Sequence, residues 1–192
     1  MRGVLPLFYQ SGYLTIKGCD ATFDVYTLGI PNEEVRIGLS RAFLPFYVTQ
    51  DVLAADSACL SISKALMSGD LEGALKSAKS FFASIPYQEG TLKDAPSTEG
   101  HFTAMLYVMF SFLNNYVFSQ VRTAKGRLDI LIKTPAVIYV LELKLDGNAD
   151  EALKQIEEKG YAIPYEADGR KIVKAGIVFS SRERTITQWK TE

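Results

Sequence analysis

Between Arg127 and Lys144 the sequence RLDILIKTPAVIYVLELK passes from strict alternation to an almost unbroken apolar run. Alternation with period two marks a strand with one buried face, and a short continuous apolar run fits a strand covered on both faces. The pattern predicts a strand over residues 127–133, with Leu128, Ile130 and Ile132 on one face and Asp129, Leu131 and Lys133 on the other. A central strand follows over residues 136–145. With Thr134-Pro135-Ala136-Val137 as the turn, Thr134 pairs with Val137, and the same register carries Asp129 directly opposite Glu142. Opposed residues bring their Cβ atoms to ~4.5–5.5 Å, where like charges destabilise a sheet. Lys144 lies two residues beyond Glu142 and so on the same face. Two acids and an ammonium among apolar residues need compensation, and a bound divalent cation would supply it.

The flanking segments follow the helical period. A helix is expected over residues 48–67, with Val52, Leu53, Cys59, Leu60, Leu66 and Met67 roughly on one side and Gly69 closing it. Asp70 then caps a second helix, whose stripe is Leu71, Ala74, Leu75, Ala78, Phe81, Phe82 and Ile85, and Pro86 ends it. A third helix, over residues 98–116, buries Phe102, Met105, Leu106, Met109, Phe110 and Leu113. Three residues before Phe102 stands Glu99, which places a carboxylate at the head of the buried stripe; an acid in a first turn also suits the helix dipole. A strand over residues 117–123 and the turn Ala124-Lys125-Gly126 lead into the central hairpin. Asn148 caps a fourth helix with Glu151 as capping-box partner. Its inward face is Ala149, Ala152, Leu153 and Ile156, with Gln155 at the edge, and Gly160 ends it. Strands over 171–179 and 184–190, the latter at an edge, complete an α/β fold around a mixed sheet.

The first 40 residues read as a small β unit, with strand candidates over 12–16 and 24–28, a turn at Ile30-Pro31-Asn32-Glu33, and residues 35–39 continuing outward. Such a unit buries little on its own and is expected to dock against something else.

Composition narrows the function classes. The chain has 192 residues, 47% hydrophobic and 22% charged, with a net charge of −1. That fits a globular domain without a bulk pull toward nucleic acid or membrane, so only a local basic patch could serve a polyanion. Cys19 and Cys59 have no metal-ligand spacing, and with one histidine a zinc site is excluded in practice. Two cysteines build no disulfide framework, which favours a reducing, cytoplasmic location. The apolar run over 102–113 is well short of the ~20 residues of a membrane span. No GxxxxGK[ST] loop or GxSxG elbow is present.

Hard oxygen ligands select Mg²⁺ or Mn²⁺ over softer metals. A few carboxylates with a nearby lysine fit metal-assisted phosphodiester hydrolysis. A Glu-x-Lys at a strand end is equally well a surface salt bridge; the opposed Asp129 and the doubly buried strand shift the balance to a metal site.

The residues Gly126-Arg127-Leu128-Asp129, followed after thirteen positions by Glu142-Leu143-Lys144, resemble the PD-(D/E)xK nuclease superfamily. The run GRLDILIKTPAVIYVLELKLDGNADEALKQIEEKGYAIPYEADGRKIVKAGIVFS is similar to bacterial proteins that join this nuclease domain to an AAA-ATPase-like domain. The resemblance implies a restriction-endonuclease-like core with αβββαβ order. It implies that Asp129, Glu142 and the carbonyl of Leu143 hold Mg²⁺ or Mn²⁺, and that Lys144 positions the nucleophilic water. Glu99 matches the acid of the preceding helix, and Gln155 a polar residue of the following one. DNA is the implied partner, with Arg122, Lys125, Arg127, Lys171 and Lys174 as candidate phosphate contacts. LFYQSGYLTIKG resembles the tail that follows the ATPase-like domain, so residues 1–40 are expected to be that tail and 41–192 the nuclease-like domain. The ATPase-like domain is then an implied partner, and the chain either a piece of a longer protein or a shortened one. A catalytically inactive module that binds nucleic acid or a partner protein is the alternative.

Overall fold

The computed structural model describes residues 3–32, 34, 35, 38, 39, 42, 52–84, 103, 106, 107, 109, 110 and 116–192, with the side chains of 52–56 left aside. Two compact units divide the chain, Met1–Phe43 and Leu44–Glu192.

The first unit opens with a helix, α1 (Val4–Gln10), which the sequence pattern did not signal. Pro6 falls in its first turn, where the missing N–H has no helical partner in any case. Strands β1 (Thr15–Asp20) and β2 (Val25–Gly29) then form an antiparallel hairpin with an irregularity between Ile16 and Gly18. Residues 34, 35, 38, 39 and 42 are helical rather than extended, a second departure from expectation. None of the described residues of this unit is buried.

The second unit is built on a five-stranded mixed sheet of order β3-β4-β5-β6-β7. Its strands are β3 (Val117–Thr123), β4 (Gly126–Lys133), β5 (Val137–Leu145), β6 (Lys171–Ser180) and β7 (Thr185–Thr191). Only β5 and β6 run parallel, and the crossover between them carries helix α4 (Ala149–Lys159) and a 3₁₀ turn (Ile163–Asp168). This is the mixed α/β architecture of a restriction-endonuclease-like fold. Helices α2 (Val52–Met67) and α3 (Leu71–Ser84) cover the other face.

Local chemistry sets the boundaries. Gly69 ends α2 in a left-handed conformation. Asp70 Oδ1 accepts the Gly73 amide at 2.8 Å and caps α3. Asn148 Oδ1 accepts the Asp150 amide at 2.8 Å, and Gly160 closes α4 at φ 61°. The α3 stripe is buried from Leu71 to Phe82 as its period requires. In α2 the buried line is Cys59, Ile62 and Leu66, whereas Leu60 and Met67, expected inside, are 53% and 40% exposed. Positions 59, 62 and 66 follow the i, i+3, i+7 spacing of one helix face; 60 and 67 flank it. Of the third helical stripe, Leu106, Met109 and Phe110 are helical and buried against the α2–α3 side, while Phe102, Met105 and Leu113 lie outside the described residues.

The sheet separates two apolar layers. Ile130, Ile132, Tyr139, Leu141 and Leu143 pack toward α2 and α3. Ile138, Val140 and Leu131 pack toward Leu153 and Ile156 of α4. Burial of β5 on both faces is the outcome its apolar run predicted. Among the described residues no helix is long and apolar enough to cross a membrane.

Tyr139 ties the sheet to α2, its hydroxyl donating to the Leu66 carbonyl at 2.6 Å. Burial, with the negative charge of Asp70 adding to it, pushes this phenol up to about 12. The protonated form is therefore favoured in the fold. Its contribution is complete below pH ~10, the unfolded value, and is lost as the pH rises toward about 12. Tyr139→Phe is expected to cost about 1 kcal/mol at pH 7 through the lost hydrogen bond. That deficit should narrow between pH 10 and 12 in guanidinium unfolding curves, because the wild type alone loses the tyrosine term there.

Candidate active site

The turn at Thr134 sets the register of the central hairpin. Thr134 N–H donates to the Val137 carbonyl at 2.9 Å, and the Thr134 hydroxyl both donates to that carbonyl and accepts the Val137 amide. Pairing then runs from Lys133↔Ile138 to Ile130↔Leu141, and the ladder stops one position short of Asp129 and Glu142.

At that level the strands depart from regular pleating. Leu128 packs with Leu131 on the α4 side, while Ile130 and Ile132 face α2 and α3. The expectation that Leu128, Ile130 and Ile132 share a face is therefore corrected: the alternation slips at Asp129. Strand β3 slips at the same level, with Val117 on the α2–α3 side and Val121 against the α4 cluster. Between them Gln120 adopts a left-handed backbone with φ 53°. For a residue other than glycine this costs on the order of 1–3 kcal/mol. The β3–β4 register is kept across the slip, with Ser119↔Ile130 on one side and Val121↔Leu128 on the other. The two strands thus bend together at Gln120 and Asp129, the way bulges re-aim side chains beside sites.

The bend places the Asp129 carboxylate between its two neighbour strands. In a continued ladder the Leu143 amide would donate to the Leu128 carbonyl. It donates instead to Asp129 Oδ2 at 3.0 Å, and Gln120 Nε2 donates to Oδ1 at 3.2 Å. Gln120 is the residue that pattern reading missed. Its left-handed backbone has no local signature, since glycine or asparagine is the usual occupant of that region.

Glu142 is 2% exposed and Asp129 8%. Glu142 and Lys144 both face α4, where Gln155 joins them. Gln155 Nε2 donates to Glu142 Oε1, and Gln155 Oε1 accepts from Lys144 Nζ at 2.6 Å. Lys144 Nζ stands 4.0 Å from Glu142 Oε1. The amide thus presents its donor to the acid and its acceptor to the ammonium, the one orientation that satisfies both. Gly176, the β6 partner of Glu142, allows this approach. A Cβ there would lie 2.3 Å from the Ala149 carbonyl oxygen and 2.8 Å from the Ala152 Cβ, both in α4.

Carboxylate and carbonyl oxygens, the types carried by Asp129, Glu142 and the Leu143 main chain, are the hard ligands that Mg²⁺ or Mn²⁺ selects. Among the described residues no group of three or more His, Cys, Asp and Glu side chains gathers. Glu99, the expected third acid, lies outside the described residues, as does His101.

Of the candidate phosphate contacts, Arg122 and Arg127 are direct cross-strand partners, with Lys125 in the turn between them. Like charges so placed repel, and none of the three makes an ion pair with the described residues. This hairpin tip lies at the same end of the sheet as Asp129, two residues along β4 from Arg127. Lys174 is paired with Glu157 instead. Lys171 pairs with Val137, five residues or about 16 Å along the strand from the Glu142 level.

Residues 97–189 match the family model of the PD-(D/E)XK nuclease superfamily. Its members generally hydrolyse phosphodiester bonds. An uncharacterized protein in the vnfD 5′ region of Azotobacter chroococcum mcd 1 is 30% identical over 190 residues. The match takes in 97% of this chain but 37% of that protein, so the chain spans little more than a third of its relative's length. No solved structure matches the chain. Neither match bears on the ATPase-like region.

Gly176→Ala tests whether α4 sets the site. The added methyl meets helix backbone, so the helix must lift, at a cost of about 1–3 kcal/mol. Chemical denaturation should show that loss. A variant as stable as the wild type would mean that the close approach is not tight in solution.

Proposed function

We propose that the second unit is a divalent-metal-dependent nuclease that hydrolyses phosphodiester bonds in DNA. One observation carries this reading: buried Asp129 accepts the amide of Leu143, the chain neighbour of buried Glu142, and Lys144 is linked to that glutamate through Gln155. Asp129, Glu142 and the Leu143 carbonyl would hold Mg²⁺ or Mn²⁺, which when bound supplies Lewis-acid polarisation and charge neutralisation at the phosphoryl group. The chain's own residues do the rest. The Lys144 ammonium offsets negative charge developing on phosphoryl oxygens and holds an attacking water by hydrogen bond. Gln155 fixes where that ammonium stands. Glu99 is assigned to the same site as an outer acid. Arg122, Lys125 and Arg127 hold the substrate backbone, and their mutual repulsion at the hairpin tip is relieved by phosphate.

In this reading residues 1–40 are the tail of an ATPase-like region and the protein works in the cytoplasm. Support for these two assignments comes from the resemblance of LFYQSGYLTIKG and from a cysteine content too low for a disulfide framework.

The test is cleavage of single-stranded, duplex and branched DNA, with RNA alongside, in Mg²⁺ or Mn²⁺. Glu142→Gln and Lys144→Met are each expected to lower the rate by at least ~100-fold. Equal cleavage by those variants would assign the activity to a contaminant. Metal-independent binding without cleavage of any substrate, unchanged in Asp129→Asn, would instead assign a non-catalytic module.

Substrate grip is tested separately. Neutralising Arg122 or Arg127 should weaken DNA binding and reduce the slope of log K against log salt by about one per residue. An unchanged slope would move the substrate elsewhere.

A further inference from the structure

Gln120 has no place in the pattern that led to the site, yet it carries its least ordinary backbone. Its φ of 53° lies in the left-handed region, in the middle of a strand. The ladder lists its neighbours on both sides, Ser119↔Ile130 and Val121↔Leu128, and skips it. Its side chain reaches across to β4 and donates through Nε2 to Asp129 Oδ1 at 3.2 Å. The other oxygen of the same carboxylate accepts the Leu143 amide at 3.0 Å.

Asp129 is therefore gripped from both neighbouring strands, by an amide side chain on one flank and a main-chain N–H on the other. Two hydrogen bonds to different oxygens fix the plane of a carboxylate, which one bond alone leaves free to rotate. A carboxylate oxygen has more than one acceptor direction, so a hydrogen bond to it does not by itself exclude ligation. The held carboxylate can thus still act as a ligand, with its orientation set in advance.

We propose that Gln120 is a positioning residue: its left-handed turn in β3 exists to deliver an amide that orients Asp129 for a divalent cation. This rests on the metal-dependent reading above and deepens it. A purely structural bulge would need the backbone conformation and not the amide. The two roles separate by substitution. Gln120→Gly accepts positive φ without cost and lacks the donor. Gln120→Met keeps the length and the backbone demand and also lacks the donor.

The experiment is calorimetric titration of the full chain with Mn²⁺, alongside thermal melting and steady-state DNA cleavage. Both variants are expected to bind Mn²⁺ about 10-fold more weakly, the scale of losing a residue that orients a metal ligand. They should show a lower kcat with KM for DNA unchanged, and Gln120→Gly should melt at the wild-type temperature. Wild-type Mn²⁺ affinity in either variant overturns the role of the amide while leaving the nuclease reading intact. A wild-type protein that neither binds Mn²⁺ nor cleaves overturns the nuclease reading, and this inference with it.

Discussion

The hydrogen bond from the Leu143 amide to Asp129 Oδ2 is where regular sheet structure gives way. A backbone amide inside a sheet must find an acceptor, because leaving it unmet costs about 1–3 kcal/mol. Supplying that acceptor from a side chain separates β4 from β5 locally and leaves a carboxylate inside the sheet. The bend of β3 and β4, the change of face at Leu128 and Val121, and the left-handed Gln120 all occur at that level. They are one distortion, and its centre is an acid held in the interior.

Much of this was legible from residue pattern because β5 is apolar on both faces and the turn at Thr134 closes with its own hydroxyl. Those two features left one register, and the ladder follows it from Lys133↔Ile138 to Ile130↔Leu141. The position of Gln155 at the edge of the α4 stripe was legible for the same reason, since the buried face of α4 is clean. The pleat was not. Strict alternation assigned Leu128 to the side of Ile130, but alternation assumes that each backbone pair is made, and Asp129 replaces one with its side chain. Gln120 was hidden more completely. A left-handed glutamine follows from what its amide touches across the strand, and no neighbour in sequence encodes that. In α2, Leu60 and Met67 were placed inside by composition, whereas the fold buries Ile62 between Cys59 and Leu66.

Buried acids need hydrogen-bond or charge partners, and the partners of Asp129 and Glu142 differ. Asp129 accepts from an amide side chain and a main-chain N–H among its contacts. Glu142 is met by the Gln155 amide and, at 4.0 Å, by the Lys144 ammonium. Gln155 does more than add a hydrogen bond, because the same group that donates to the acid accepts from the lysine. It bridges the ion pair, whose Nζ and Oε1 atoms stand 4.0 Å apart with the amide bonded to both. Inserting an amide keeps the ammonium beside the carboxylate without neutralising it by direct contact.

That spacing depends on helix α4 resting against the sheet where β6 carries glycine. Gly176 stands directly beside Glu142, and the main chain of Ala149 and Leu153 occupies the volume a side chain would fill. A helix held off by even a methyl group would carry Gln155 away from both partners at once. Glu142 and Lys144 would then be free to collapse onto each other, which would satisfy their charges and remove the arrangement that makes them useful. The absence of a side chain on one strand is thus what keeps two charges apart on the next. The glycine therefore serves two things at once, the seating of α4 on the sheet and the position of Gln155 over Glu142 and Lys144.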